Sequence, residues 1–241
     1  MNRVSFDPSK EHLVILHPTL GEGDPFRLLG CQIDTKLLMT HAIDKILAQA
    51  RPKIQAILRT RAHYSTQDLV GQFKTHIWGI LEIHNGAIFH ASDYLLAKID
   101  AVQRHFLNEI DITEKDAYMQ HNFAPPQLRR NIGMLGLLHK RVLGEAHPIF
   151  QELFPFHDDV FGSLRPGEHD KQLYGHLFEV NFQLQLHLRS IFAMVYVYNR
   201  LPQYVVNKTS VTEFQKELSI IARHRCQNDI DGWEQTFSCR V

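Results

Sequence analysis

The sequence predicts a mainly α-helical protein, with short antiparallel β-hairpins at its N-terminal end, then a helical bundle, then a smaller C-terminal helical unit. Three observations carry this expectation. The first forty residues fall into short apolar runs separated by turn-forming residues. From Thr40 onward the apolar residues recur at spacings of three and four, the period of one helix face. Ser65 with Asp68, and Ser210 with Glu213, place a capping residue and an acid three positions on at the start of such runs. With 241 residues, 44% of them hydrophobic, the chain has the apolar content to bury a sizeable core.

Strands are expected at Val4–Phe6, Leu13–Leu16 and Phe26–Ile33, with Gly21, Gly23 and Pro25 breaking the chain between the last two. The first helix starts at Thr40, read as its cap, and places Ile43, Ile46, Leu47, Ala50, Ile54, Ile57 and Leu58 on one face. Pro52 falls on the outer face with Lys45 and Arg59, so this stretch is either one helix kinked toward solvent or two short helices end to end. A second helix runs from the Ser65 cap through Leu69, Phe73, Ile77, Ile80 and Leu81. A third follows Ser92, with Leu95, Leu96, Ile99, Val102, Phe106, Leu107 and Ile110 facing inward and Lys98, Arg104, His105 and Glu109 outward. Pro125 and Pro126 suit a first helical turn; the helix they open runs to Leu143 and stops at Gly144, with Gly133 and Gly136 allowing close helix contact. Residues 156–170 lack periodicity and read as a linker, which divides the chain into 1–39, 40–155 and 156–241. Residues 180–188 fit a strand and a helix equally well. The last helix starts at Ser210 and buries Phe214, Leu218 and Ile221.

Lys plus Arg equals Asp plus Glu at 26 each, so no global field draws the chain to nucleic acid or to an anionic membrane. Any such affinity must come from local patches. Cys31, Cys226 and Cys239 are widely spaced and odd in number, which argues against a disulfide framework or a paired metal knuckle and for a reducing compartment. No run approaches the roughly 18 apolar residues of a membrane span, and Met1–Asp7 has no signal-type stretch. No membrane partner is expected, and the expected location is cytoplasm or nucleus.

Motifs for chemistry are sparse. The sequence has no His-Glu-x-x-His, no Gly-x-Ser-x-Gly elbow and no Walker or dinucleotide glycine loop. Asp158-Asp159 lacks the aromatic-x hairpin of a polymerase metal pair, and the adjacent His and acid pairs read as solvated loop residues. The more informative cluster is basic. Lys45, Arg51, Lys53, Arg59 and Arg61 lie within about five helical turns, opposed only by Asp44. Such a helix can neutralise successive phosphates, with His41, His63 and Tyr64 adding hydrogen bonds or stacking; a solvated outer face explains the same residues. Arg129-Arg130 and Lys140-Arg141 form a second, weaker group.

The order of segments adds a further argument. Val4-Ser5-Phe6-Asp7-Pro8-Ser9-Lys10 followed by Leu13-Val14-Ile15-Leu16, then Phe26-Arg27-Leu28-Leu29-Gly30-Cys31-Gln32-Ile33-Asp34, resembles the stretch after the catalytic hairpin of reverse transcriptases from non-LTR (LINE-like) retrotransposons. There a Tyr-Leu-Gly hairpin grips the primer end. Downstream, Ala50-Arg51-Pro52-Lys53 with Leu58-Arg59 resembles the thumb of that family, and Phe73-Lys74-Thr75-His76-Ile77 to Asn85-Gly86 resembles its next helix. Ile99 to Arg104, Ala124 to Arg130, and Tyr198-Asn199-Arg200-Leu201-Pro202 with Phe214 to Leu218 follow in the family's order.

The resemblance implies a thumb-like bundle and a template-primer hold by Lys45, Arg51, Lys53, Arg59 and Arg61, with Leu29 and Gly30 in the primer-grip turn. Its implied partner is RNA or an RNA·DNA duplex. The fingers, most of the palm and the aspartates that bind two Mg²⁺ ions in complete members would lie before Met1, so no cofactor and no polymerase activity are expected of this chain alone. Apolar surface that once faced the palm makes self-association a further expectation. The rival is a helical interaction scaffold that binds no nucleic acid.

Overall fold

Strands β1 (Arg3–Phe6) and β2 (Leu13–Leu16) pair antiparallel, with Arg3 opposite Leu16 and Phe6 opposite Leu13. A second antiparallel pair joins β3 (Pro25–Leu28) to β4 (Cys31–Asp34). Phe26–Ile33, expected as a single strand, is thus folded back on itself. The turn occurs because Leu28 lies opposite Cys31 and Gly30 takes φ +85°, a left-handed conformation that tight hairpin turns need and glycine adopts without steric cost. The computed structural model of the chain describes residues 3–6, 13–16, 24–28, 30–157, 169–175 and 183–240. Leu29 lies outside the described residues.

The remaining architecture is mainly α. Helix α1 (Thr40–Arg59) buries Ala42 and the seven apolar residues that its spacing marks out. It is one helix that passes through the exposed Pro52, not two end to end. Its start differs from expectation: Thr40 is the first helical residue, and the preceding Met39 sits at φ 66° with no side-chain cap. Burial decides this. Met39 is fully buried, and the carboxylate of Asp34 accepts the Leu38 N–H at 3.0 Å and the Met39 N–H at 2.8 Å. Leu37 and Met39 both hold left-handed backbone, which costs a side-chain-bearing residue about 1–2 kcal/mol. The Asp34 bonds offset that strain, and β4 packs on α1 as a result.

Ser65 caps α2 (Thr66–Phe73) with both halves of the capping box: Ser65 Oγ accepts from the Asp68 N–H, and Asp68 accepts from the Ser65 N–H. The helix then continues through a π-helical turn, Lys74–Trp78, into α3 (Gly79–Glu82). The wider turn lies beside an aromatic cluster that periodicity does not reveal. Trp78 stacks on Phe123 at 5.3 Å, and Phe73 meets Phe106 at 4.6 Å and Phe123 at 5.1 Å. Helix α4 (Asn85–Ile88) follows, then α5 (Asp93–Glu109), capped by Ser92 and packed along α1, then α6 (Glu114–His121), capped by Thr113. The buried Gln103 of α5 accepts from the Trp78 indole N–H at 3.4 Å and donates to the Ala124 carbonyl at 3.0 Å, so its polar atoms are matched inside the core.

The chain divides into two compact units, Met1–Pro126 with Val180–Leu186, and Gln127–Glu179 with His187–Val241. The division falls at Pro126/Gln127, ahead of the 156–170 stretch chosen from composition, part of which (158–168) lies outside the described residues. Helix α7 (Pro126–Val142) explains the difference, because its buried His139 stacks on Phe214 at 4.0 Å in α12 (Val211–Gln227). The second unit also holds α8 (Ile149–Leu153), α10 (Ile191–Tyr198) and α11 (Gln203–Val206). Helix α9 (Gln183–Leu188), within which the division between the units also falls, resolves the 180–188 ambiguity as helix over those six residues; 180–182 lie outside the described residues.

Glycine spacing had suggested two close contacts on α7. A side chain at Gly136 would collide with Gln215 of α12, whereas Gly133 is exposed with nothing within 4 Å. Gly144, at φ +77°, ends the helix as its sequence position predicts. At Ser210 the side chain caps Glu213 N–H at 3.2 Å; Ile221 is only half-buried, while Phe214 and Leu218 are fully enclosed.

Candidate nucleic-acid interface

Because α1 is anchored by its apolar face, its basic side chains are presented from a fixed element in the first unit. They do not form one stripe. Lys45, Pro52 and Arg59 recur every seven residues along the outer face, but Arg51 and Lys53, two positions apart, project about 160° from each other around the axis. From Lys45 to Arg59 the helix rises about 21 Å.

Each cation has its own surroundings. Lys45 is half-buried, close enough to the buried Cys31 that its ammonium partly opposes the upward push of burial on the thiol. Cys31 therefore stays a protonated, unreactive thiol. Gly30, in the neighbouring turn, lies near His84, whose Cε1 would stand 3.7 Å from an added Cβ. Arg51, Lys53 and Arg59 are exposed. Arg61 donates to Glu109 at the end of α5, with Nη1 3.0 Å from Oε2, so one of the expected phosphate contacts is already answered by a carboxylate. With the two side chains 51% and 36% exposed, that pair contributes at most about 1 kcal/mol, and a phosphate can compete for it.

Arg51 has neighbours the sequence did not connect. Together with Gln55 of α1 and Lys98 and His105 of α5, it lines a half-open cleft of about 200 Å³ floored by Ile54 and Val102. The signal lay in α5, where Lys98 and His105 are seven residues apart on one edge, but only helix packing shows which edge of α1 they face.

No protein-family model, no curated protein and no solved structure matches this chain.

The second basic group is divided by burial: Lys140 is exposed and Arg129 half-buried. Arg130 and Arg141 are buried in the second unit, where Arg141 Nε donates to the Phe154 carbonyl at 2.9 Å and its guanidinium lies over the Phe156 ring at 4.4 Å. Burial lowers the Arg141 pKa, but an arginine starts so far above neutrality that the side chain remains a cation at neutral pH. Among the described residues no cluster of three or more His, Cys, Asp or Glu is arranged to hold a metal ion, and Asp158-Asp159 lies outside them. No described helix is long and apolar enough to cross a membrane.

A buried polar chain runs through the described residues of the second unit. His139 Nε2 faces the Lys208 carbonyl at 2.9 Å, so this nitrogen carries the proton, and Nδ1 accepts from the Tyr198 hydroxyl at 3.0 Å. Burial pushes the His139 pKa below its ordinary 6.5 and pushes Tyr198 up. All the polar atoms in this chain are matched and enclosed by Phe214, which fits a specifying element of the core and not a reaction centre.

Proposed function

We propose that this chain binds the phosphate backbone of RNA or an RNA·DNA duplex through the cations of α1, as a non-catalytic, reverse-transcriptase-like segment. The observation that carries the reading is the state of Arg51, Lys53 and Arg59: exposed on a helix whose other face is locked in the core, with no ion pair among the described residues. Uncompensated cations on a rigid helix suit phosphate neutralisation, in which each contact releases condensed counterions and makes affinity fall with salt. Backbone contacts of this kind position a duplex without reading its sequence, so little base preference is expected.

Binding of an RNA·DNA duplex should weaken as salt rises, with a log-log slope of about −0.9 per phosphate neutralised. Replacing both Lys53 and Arg59 with alanine should make that slope shallower by about 2, measured by fluorescence anisotropy from 50 to 200 mM salt. A salt-independent or undetectable interaction would remove the reading.

Primer extension with Mg²⁺ and deoxynucleotides is expected to yield no product from this chain, because two-metal transfer needs paired carboxylates that the sequence motifs do not supply. An EDTA-sensitive extension product from the purified chain would overturn that.

A helical interaction scaffold remains the second reading, favoured by Ile83 and Tyr94, which are 74% and 73% exposed. It expects concentration-dependent self-association in sedimentation runs and no salt-dependent duplex binding.

A further inference from the structure

The cleft between α1 and α5 is unusual for a surface with a balanced charge count. Arg51 and Gln55 stand one helical turn apart on α1, and Lys98 and His105 two turns apart on α5, so donors from two walls converge over one space. Its floor, Ile54 and Val102, is 2% and 8% exposed, which keeps water from screening the walls from below. No carboxylate lines it. Glu109, one turn beyond His105, is held by Arg61, and Asp100 points about 160° away from Lys98 around α5. Among the described residues neither a hydrogen bond nor an ion pair engages the side chains of Arg51, Gln55 or His105, and Lys98 lies over the Tyr94 ring at 4.8 Å.

We propose that this cleft is a binding site for a single phosphate group, held by Arg51 and Lys98 with Gln55 and His105 as additional polar contacts. Size selects the ligand. At about 200 Å³ the space is smaller than the roughly 300–1,000 Å³ of pockets that enclose a cofactor or a drug-sized molecule, yet it exceeds several waters at about 30 Å³ each. The guanidinium fork of Arg51 can engage two oxygens at once, while the Lys98 ammonium adds a point charge from the opposite wall. The phosphate belongs either to a nucleic-acid backbone or to a free phosphate ion; the first source rests on the function proposed above, the second does not.

The test uses the full chain. Inorganic phosphate is titrated by NMR at constant pH and ionic strength, following the His105 ring signals, with acetate as the control anion. Duplex binding is then measured against salt for the wild type, R51A, K98A, R51A/K98A and K53A/R59A, with tryptophan fluorescence confirming that each variant folds. Phosphate should bind the wild type at least about tenfold more tightly than acetate, lose that preference in R51A/K98A and keep it in K53A/R59A, since near neutral pH phosphate carries about −1.5 to −2 charge and at least three acceptor oxygens against the single charge and two oxygens of acetate. Because Arg51 and Lys98 share one phosphate, R51A/K98A should reduce the salt slope by about 1 and each single variant by less, whereas separate contacts would remove about 2 in the double variant and about 1 in each single one. Phosphate bound through Arg51 and Lys98 without any duplex binding would uphold the site as one for the free ion and remove the proposed function alone. Phosphate binding no better than acetate, or unchanged in R51A/K98A, would overturn the inference even if duplex binding through Lys53 and Arg59 persists.

Discussion

Phe73→Ala is expected to destabilise the first unit by about 3–5 kcal/mol, the range for removing a fully buried aromatic side chain. Phe73 is 0% exposed and touches both Phe106 and Phe123, whose other neighbour is Trp78 on the far side of the π-helical turn. Deleting the ring leaves a cavity where four aromatic groups meet, and the helix backbone on either side cannot close it without giving up the Trp78 stack. Against a typical domain stability of about 5–15 kcal/mol this is a large fraction. The measurement is urea unfolding in a Trp233→Phe background, where Trp78 becomes the sole tryptophan and reports on this unit. Phe73→Leu, which keeps much of the volume, should cost less. A Phe73→Ala loss below about 1 kcal/mol would mean that the cluster is not close-packed.

The second large effect is expected at His139. In the folded unit burial favours the neutral ring, with the Lys171 ammonium acting in the same direction and the Lys208 carbonyl and Glu145 opposing it. The folded pKa therefore lies below the unfolded 6.5, so the unfolded state binds the proton more tightly. Stability from this group is complete above pH 6.5 and declines as pH falls below it toward the folded pKa. In a Trp78→Phe background, where Trp233 reports on the second unit, the unfolding midpoint should drop between pH 7.5 and 5.5, and His139→Gln should flatten that drop. His139→Ala should destabilise at every pH, because it strands the Tyr198 hydroxyl and the Lys208 carbonyl at about 1–3 kcal/mol each. An equally steep pH dependence in His139→Gln would assign the effect to other histidines.

Elements were legible where local chemistry decides them. Ser65 with Asp68, Ser92 and Ser210 each cap the helix their position predicts, because a short oxygen-bearing side chain and a free N–H are only a few residues apart. Thr40 fails the same test, since the chain before α1 is held by Asp34 from another strand and Met39 is drawn inward. The Thr113-capped helix α6 escaped a reading based on apolar period: only Ala117 and Tyr118 of it are buried, too few to set one.

The sequence by itself determined the helical class, the apolar face of α1 and the local surplus of cations on it, because periodicity and charge are properties of neighbouring residues. Tertiary structure alone decided which cations act together. Packing α5 against α1 set Arg51 opposite Lys98 and His105 and gave Arg61 to Glu109. The same holds for His139, whose hydrogen bonds and enclosure come from Tyr198, Lys208 and Phe214, 59 to 75 residues away in the chain. Contacts at that separation arise from burial of whole faces, and no local pattern encodes them.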